Sequence, residues 1–452
     1  LLHLSEKNAF FNALIFFSFP IIVMQATTTQ TDLFVAAIIS CAFYFLALAF
    51  QQKEQKFLAL SALAIALALG SKQTAFFLLP GYLLTFLALW LKKRKEIPHA
   101  MRTFLLSMLL FFLVFGSLTY LVNFSYYHGF FGPPSAVEAE TKILNAQDLF
   151  EVIRLNSLRL TYNFIDPSGM FSPWKNYFVK AKAHIFKAIL EPLHIELEST
   201  RFVATKHVFK YIYVPHLTED EAWYGPLGAF LLFLAFWQGL IQGIKKKDPL
   251  RLGVIFSGLV YFFCIILFRP GYDIFQGRYF ISVAVLLIPL LQLSFSETFL
   301  PTLLRYLTVI FAVILIITTH LFNEGKPVAV IEKNPSLIRE SIWNMDRIEK
   351  MTVQNRDLRD PLKSTAHFVP NSAVLGLCID VGVWDYPFFR EDFSQKVVPI
   401  YPKELLLDKD WLEEQKIEFV VMNTTQKISS EIPDFLILIF DYNNWKLLQV
   451  QN

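Results

Sequence analysis

The stretch Ala26-Thr27-Thr28-Thr29-Gln30-Thr31-Asp32 is a short polar step between two apolar segments, Ala9–Gln25 and Leu33–Phe50. It ends in a carboxylate where the chain re-enters apolar sequence. An ionisable side chain at such a boundary is costly and marks a candidate functional position. Its apolar flanks point to a multi-spanning membrane protein, mostly α, built as a transmembrane helical bundle. The polar residues at one end of the spans are therefore where its chemistry is sought.

Outward from this step the apolar pattern repeats. A spanning helix needs roughly 20 mostly apolar residues. Nine candidate spans follow: 9–25, 33–50, 57–71, 74–91, 103–123, 224–243, 250–268, 278–293 and 299–320. The third and fourth, split only by Ser71-Lys72-Gln73, are read as two spans rather than a re-entrant pair. Charged residues make up 17% of the chain, below the roughly 25% usual in soluble domains. The net charge of +3 is small and scattered, which argues against nucleic acid as a partner. Cys41 and Cys264 lie in apolar runs and Cys378 in the polar tail, so neither a disulfide framework nor a zinc spacing is expected. The chain begins Leu1-Leu2-His3 without a signal peptide, and it is expected to be the C-terminal part of a longer sequence.

Lysine and arginine in short loops set sidedness. Gln51–Lys56, the cluster Lys92-Lys93-Arg94-Lys95 with Arg102, and Lys245-Lys246-Lys247 are assigned to the cytoplasm. Alternation then places 26–32, 71–73, 124–223 and 269–277 on the opposite face, with the tail after His320. The domains expected are N-terminal membrane helices (1–123), a periplasmic loop with amphipathic helices (124–223), C-terminal membrane helices (224–320) and a small periplasmic α/β domain (324–452). In the loop, Asn176–Leu190 reads as an amphipathic helix with Phe178, Ala181, Ile185, Phe186 and Ile189 on one side. It suits either a bilayer surface or packing on a soluble subdomain. In the tail, Leu337–Met351 and Asp410–Gln415 read as helices, Ala373–Ile379 and Glu418–Met422 as strands. Phe435–Phe440 and Trp445–Val450 read as a hairpin around Asn443-Asn444.

The outer-face polar residues form the candidate site. They are Asp32; Lys72; Glu219 and Asp220, just before the sixth span; and Arg269, Asp273, Arg278 and Tyr279, between the seventh and eighth. Cations there would hold a phosphate, Arg gripping two oxygens at once. A carboxylate would take a proton from an attacking hydroxyl, and carboxylates would also suit a divalent metal ion bridging phosphates. Plainer readings exist for each: Asp32 as a helix N-cap, Lys72 as a snorkelling side chain, Glu219-Asp220-Glu221 as a solvated run. Trp223 and Tyr224 read most simply as an aromatic belt. His184, His194 and His207 have no metal-ligand spacing.

At these residues the chain resembles a known group. Phe19-Pro20 followed by Gln25–Asp32 resembles the third-span and outer-loop pattern of bacterial GT-C class integral-membrane glycosyltransferases, in the protein O-mannosyltransferase and aminoarabinose transferase superfamily. Leu69-Gly70-Ser71-Lys72-Gln73-Thr74 resembles the glycine–lysine turn of that group, and Gly277-Arg278-Tyr279-Phe280 its Gly-Arg-Tyr segment. The resemblance implies a polyprenyl-phosphate sugar as donor, inversion at the sugar carbon, and a glycan, lipid or protein acceptor. It also implies a location in the bacterial inner membrane. The general base implied is an Asp in the first outer loop, upstream of this chain; Asp32 matches a later, supporting Asp. Without that loop, Asp32 or Asp220 would have to serve. Two rivals remain open at this point: a transporter, flippase or polymerase for lipid-linked sugars, and a non-catalytic cell-envelope membrane protein.

Overall fold

Proline shapes the first element. Pro20 lacks a backbone N–H and restricts Phe19 to extended geometry (φ −65°, ψ 127°), so the first apolar segment breaks into helices Glu6–Ser18 and Pro20–Gln25. The computed structural model describes residues 6–28, 30–132, 143, 145–170, 172–203, 208–269, 271–291, 299–329, 341–380, 383–423 and 432–451. It divides into two compact units, Leu1–Asn323 and Glu324–Asn452.

Among the described residues of the first unit, five helices are long and apolar enough to cross a membrane: Asp32–Gln52, Gln73–Lys93, Gly225–Lys246, Pro249–Phe268 and Thr302–Leu321. A sixth is the pair Ala100–Gly116 and Leu118–Tyr127, bent by 56°. The bend falls at a π-helical turn, Phe112–Gly116, a common cause of sharp kinks. Three of the nine expected spans fall short of the length rule. Glu6–Gln25 is broken at Pro20, and Lys56–Ser71 and Ile274–Leu290 are shorter apolar helices. Lys56–Ser71 crosses the bent pair closely. A Cβ on Gly70 would stand 2.4 Å from the Phe115 carbonyl oxygen and 2.9 Å from the Gly116 Cα. Backbone cannot yield there. Gly70→Ala is expected to destabilise by about 1–3 kcal/mol, the usual range for overpacking, read as a lower thermal midpoint of the detergent-solubilised protein.

The basic loops meet at one end of this bundle. Lys92 Nζ donates to the Lys247 carbonyl (3.0 Å), Lys93 Nζ to the Phe50 carbonyl (2.8 Å), and Lys53 pairs with Glu96 at 3.2 Å. The loop after Gln25 and the turn at Lys72 lie at the other end of the same helices.

Residues 145–203 form two helices over that second end. Asn145 caps Ala146–Phe164 by accepting from the Asp148 N–H. Within it Arg159 is fully buried, and its guanidinium donates to the carbonyls of Leu197, Ser199, Arg201 and Phe202 and to Asn156 Oδ1. The Ser172–Leu190 helix buries Val179, Lys182, Ala183 and Leu190. The side expected to be apolar divides: Phe178 and Phe186 are half-buried, Phe186 against the Tyr162 ring, while Ala181, Ile185 and Ile189 are exposed beside Trp174 and Tyr177. Lys182 is buried because its ammonium finds carbonyls, Ile165 at 2.7 Å and Tyr162 at 3.2 Å, and sits 3.7 Å from the Tyr162 ring centroid. Burial pushes this amine down to about 8, against the nearby Asp166 carboxylate, which raises it. The unfolded chain holds that proton up to the ordinary value of 10.5. Between those values the unfolded state therefore carries more protons, and stability rises with pH. Thermal midpoints across that window should show the rise in the native protein and a smaller one in Lys182→Met.

The second unit carries a five-stranded sheet in the order β2-β1-β3-β5-β4. Its strands are β1 Val374–Ile379, β2 Lys396–Pro399, β3 Ile417–Asn423, β4 Leu436–Tyr442 and β5 Trp445–Val450. β1 pairs parallel with β2 and β3, while β5 pairs antiparallel with β3 and β4. The edge strand β2 was not expected; it is short and ends in proline, as edge strands tolerate. Of the helix expected over Leu337–Met351, residues 337–340 lie outside the described residues. The described helix is Arg347–Met351 alone, because Asp346 and Glu349 form a capping box that starts it there.

Candidate anion-binding site

Asp32 is the first residue of the Asp32–Gln52 helix and is buried; Thr31 stands at the cap position. The Asp32 carboxylate therefore does not serve as the N-cap. It pairs with the ammonium of Lys72, which follows the Lys56–Ser71 helix in extended backbone geometry. Lys72 Nζ also lies 5.1 Å from the centroid of the Tyr279 ring.

Tyr279 is the hub of the site. The Arg269 guanidinium donates to its hydroxyl and lies 4.9 Å from its ring; the Arg278 guanidinium lies 5.6 Å from the same ring. Three cations thus lie within 5.6 Å of one ring centroid, and the attraction of each to the ring offsets part of their mutual repulsion. Arg278 Nη1 donates to Asp220 Oδ1 at 2.6 Å and to Gln30 Oε1 at 3.0 Å. Gln30 in turn donates to Asp220 (2.8 Å), and Gln25 donates to Gln30 (2.7 Å) and to the Glu219 carbonyl (2.8 Å). Gln30 of the quoted loop, and Gln25 just before it, thereby hold the acidic run against the arginine. Arg278 Nε is buried without a hydrogen-bond partner among the described residues. A buried orphan donor is costly unless something fills the gap.

Lys72, Arg269, Arg278 and Tyr279 line a cavity of about 400 Å³ with the Gly70–Thr74 turn, Thr119 and Tyr120. The chain aims these groups by packing the 3-10 turn Ile274–Phe280. Asp273 caps it, accepting from the Phe275 N–H at 3.0 Å in a capping box with Gln276. Gly277 leaves room for Trp223: a Cβ there would stand 2.8 Å from the indole ring. Trp223 Nε1 donates to the Ile274 carbonyl at 3.0 Å, and the Tyr224 hydroxyl to the Gly277 carbonyl at 3.2 Å. Both aromatics are buried. The belt reading of Trp223 and Tyr224 is therefore corrected: their polar atoms are spent clamping this turn.

The structure brings together Asp32, Lys72, Asp220, Arg269, Arg278 and Tyr279. Asp273 and Glu219 do not line the cavity; the first shapes the turn, and the second contributes its carbonyl to Gln25. Sequence reasoning did not single out Gln25, Gln30 or Tyr120. The signal for the amides was present, since both border the quoted polar step. Tyr120, whose hydroxyl donates to the Leu69 carbonyl at 2.7 Å, was hidden inside an apolar run. Among the described residues, no three His, Cys, Asp or Glu side chains are grouped so as to hold a metal ion.

Fold and site together define a polytopic helical protein of membrane type with a cationic cavity at one end of its bundle. Residues 2–120, about a quarter of the chain, match the family described as dolichyl-phosphate-mannose-protein mannosyltransferase. That match supports a GT-C class membrane glycosyltransferase, and it covers the loop 26–32 and the Lys72 turn. No curated protein and no solved structure matches the chain.

Proposed function

We propose that the protein transfers a sugar from a polyprenyl-phosphate donor to an acceptor hydroxyl at the outer face of a bacterial inner membrane. The observation that carries this reading is the convergence of Lys72, Arg269 and Arg278 on one cavity, with the Arg278 Nε–H buried and without a partner among the described residues. In this reading the short helices Lys56–Ser71 and Ile274–Leu290 and the broken segment Glu6–Gln25 also span the bilayer, and the basic loops face the cytoplasm. The donor phosphate enters the cavity, and its polyprenyl chain runs along the lipid-facing helices. The acceptor oxygen attacks the sugar carbon from the face opposite the phosphate, which accounts for inversion. The sugar–oxygen bond breaks, its electron pair passes to the phosphate, and the acceptor proton leaves to a base. Fixed cations stabilise the charge that develops on the leaving phosphate. The neutralisation that a divalent ion would provide is here assigned to these three side chains.

Asp32 and Asp220 are assigned the task of orienting Lys72 and Arg278. Both carboxylates are engaged with these cations, so neither is assigned as the base. The test is transfer of radiolabelled sugar from a polyprenyl-phosphate sugar by the protein in proteoliposomes. Incorporation into glycan, lipid or protein acceptors is expected; no incorporation with any of them contradicts the reading.

A further inference from the structure

A second cavity, of about 260 Å³, lies between the Ala146–Phe164 and Ser172–Leu190 helices and the segments 208–215, 221–223 and 272–274. Its lining combines aromatic residues (the half-exposed Tyr213 and the buried Trp223 and Tyr272) with polar groups (Asn163, Lys210, Glu221). Buried Asp166 and Lys182 stand at its edge. We propose that this cavity is a saccharide-binding site, holding one pyranose ring of the substrate next to the phosphate cavity. The assignment rests on the glycosyltransferase reading for its place in the reaction.

The chemistry matches one ligand class. A pyranose offers a C–H face, which packs on aromatic rings, and a rim of hydroxyls, which need both donors and acceptors. The half-exposed Tyr213 ring supplies the first, with Trp223 and Tyr272 completing the aromatic lining. The Glu221 carboxylate, the Asn163 amide and the Lys210 ammonium supply the second. The polar groups are already oriented: Asn163 Nδ2 donates to the Tyr272 hydroxyl at 2.8 Å, and Glu221 Oε2 accepts from the Tyr213 hydroxyl and from the His216 N–H at 3.0 Å. The cavity lies just below the roughly 300–1,000 Å³ of drug-sized sites, which suits a ligand of one ring rather than several.

Two shared elements tie the cavities together. Trp223 lines the second cavity while its indole packs on Gly277, next to Arg278. Glu221 lines it while its neighbour Asp220 binds Arg278. Arg269 and the segment 271–280 together give Arg269, Arg278 and Tyr279 to the first cavity and Tyr272 and Ile274 to the second. A ring held there would stand beside the phosphate without competing for the cations.

Saturation-transfer NMR on the detergent-solubilised chain tests this, in a detergent without a sugar head group and with methyl α-D-mannopyranoside as probe. Saturation transfer is expected with the native protein and with Arg278→Gln alike, and at least about threefold less with Glu221→Gln and with Asn163→Ala. These variants alter different walls, so loss in both, with native thermal midpoints, marks the cavity rather than a folding defect. No transfer to the native protein overturns the proposal, as does unchanged transfer in both variants or loss in Arg278→Gln alone. Binding of inorganic phosphate, followed by phosphorus NMR, separates the two readings. Its absence alongside intact mannoside binding removes the phosphate site and leaves the saccharide site standing.

Discussion

Lys72→Met is expected to lower sugar transfer by about 10²–10³-fold, the usual consequence of removing one fixed donor from a site where negative charge develops. Methionine keeps an unbranched side chain, one atom shorter, and removes the charge and its N–H donors. Detergent extraction should be retained, while the thermal midpoint falls because the buried Asp32 has lost its partner. That pair provides an internal check. In Lys72→Met the buried Asp32 carboxylate has lost its cation, which is a costly state. Adding Asp32→Asn should then restore stability without restoring transfer, because the cation toward the phosphate is still missing. If Asp32→Asn alone abolishes transfer while Lys72→Met does not, the assignment of roles is reversed. Arg278→Lys should fall between native and Arg278→Gln, since an ammonium keeps the charge but lacks the planar fork.

Arg159→Met should be the most destabilising single change in the outer segment, by at least about 3 kcal/mol. The arginine is fully buried and gathers four backbone carbonyls between residues 197 and 202. Methionine fills much of its volume but satisfies none of those acceptors, and each buried carbonyl left alone costs about 1–3 kcal/mol. Its loss should free residues 197–202 and, through Tyr272, which lies 5.7 Å from the guanidinium, loosen the 271–280 segment. Limited proteolysis should cut the variant in this segment at protease levels that spare the native chain. Arg159→Lys should recover part of the protection, because an ammonium still donates to some of the carbonyls. Equal protease resistance in Arg159→Met would show that the carbonyls have other partners.

How far the sequence could be read depended on the kind of signal each element carries. The spans at Asp32–Gln52, Pro249–Phe268 and Thr302–Leu321 were legible because long apolar runs have few alternatives. Their lengths elsewhere were not: Pro20 and the π-helical turn at Phe112–Gly116 break runs whose composition alone stays apolar. The charged members of the site, Lys72, Arg269 and Arg278, were legible for the opposite reason, since cations at the edge of apolar sequence stand out. Tyr279 was legible beside them, through the Gly277-Arg278-Tyr279 segment. The indole and amides that arrange the site were not, because Trp223 and Gln30 have ordinary meanings at such positions. The Ser172–Leu190 helix shows the limit of periodicity. Its stripe gave the secondary structure, but not which of its members turn inward. Burial of Lys182 was decided by two carbonyls, Tyr162 and Ile165, from a different helix and the loop after it. No local pattern records such a contact.

The account depends on Lys72, Arg269 and Arg278 gripping a phosphate that is carried on a lipid. Native mass spectrometry of the protein with added polyprenyl monophosphate, against polyprenol as the neutral control, measures this directly. One bound polyprenyl monophosphate per chain is expected, with little polyprenol, and the bound species should vanish in the Lys72→Met/Arg278→Gln double variant. Equal binding of polyprenol, or full retention of the phosphate lipid by the double variant, would contradict it.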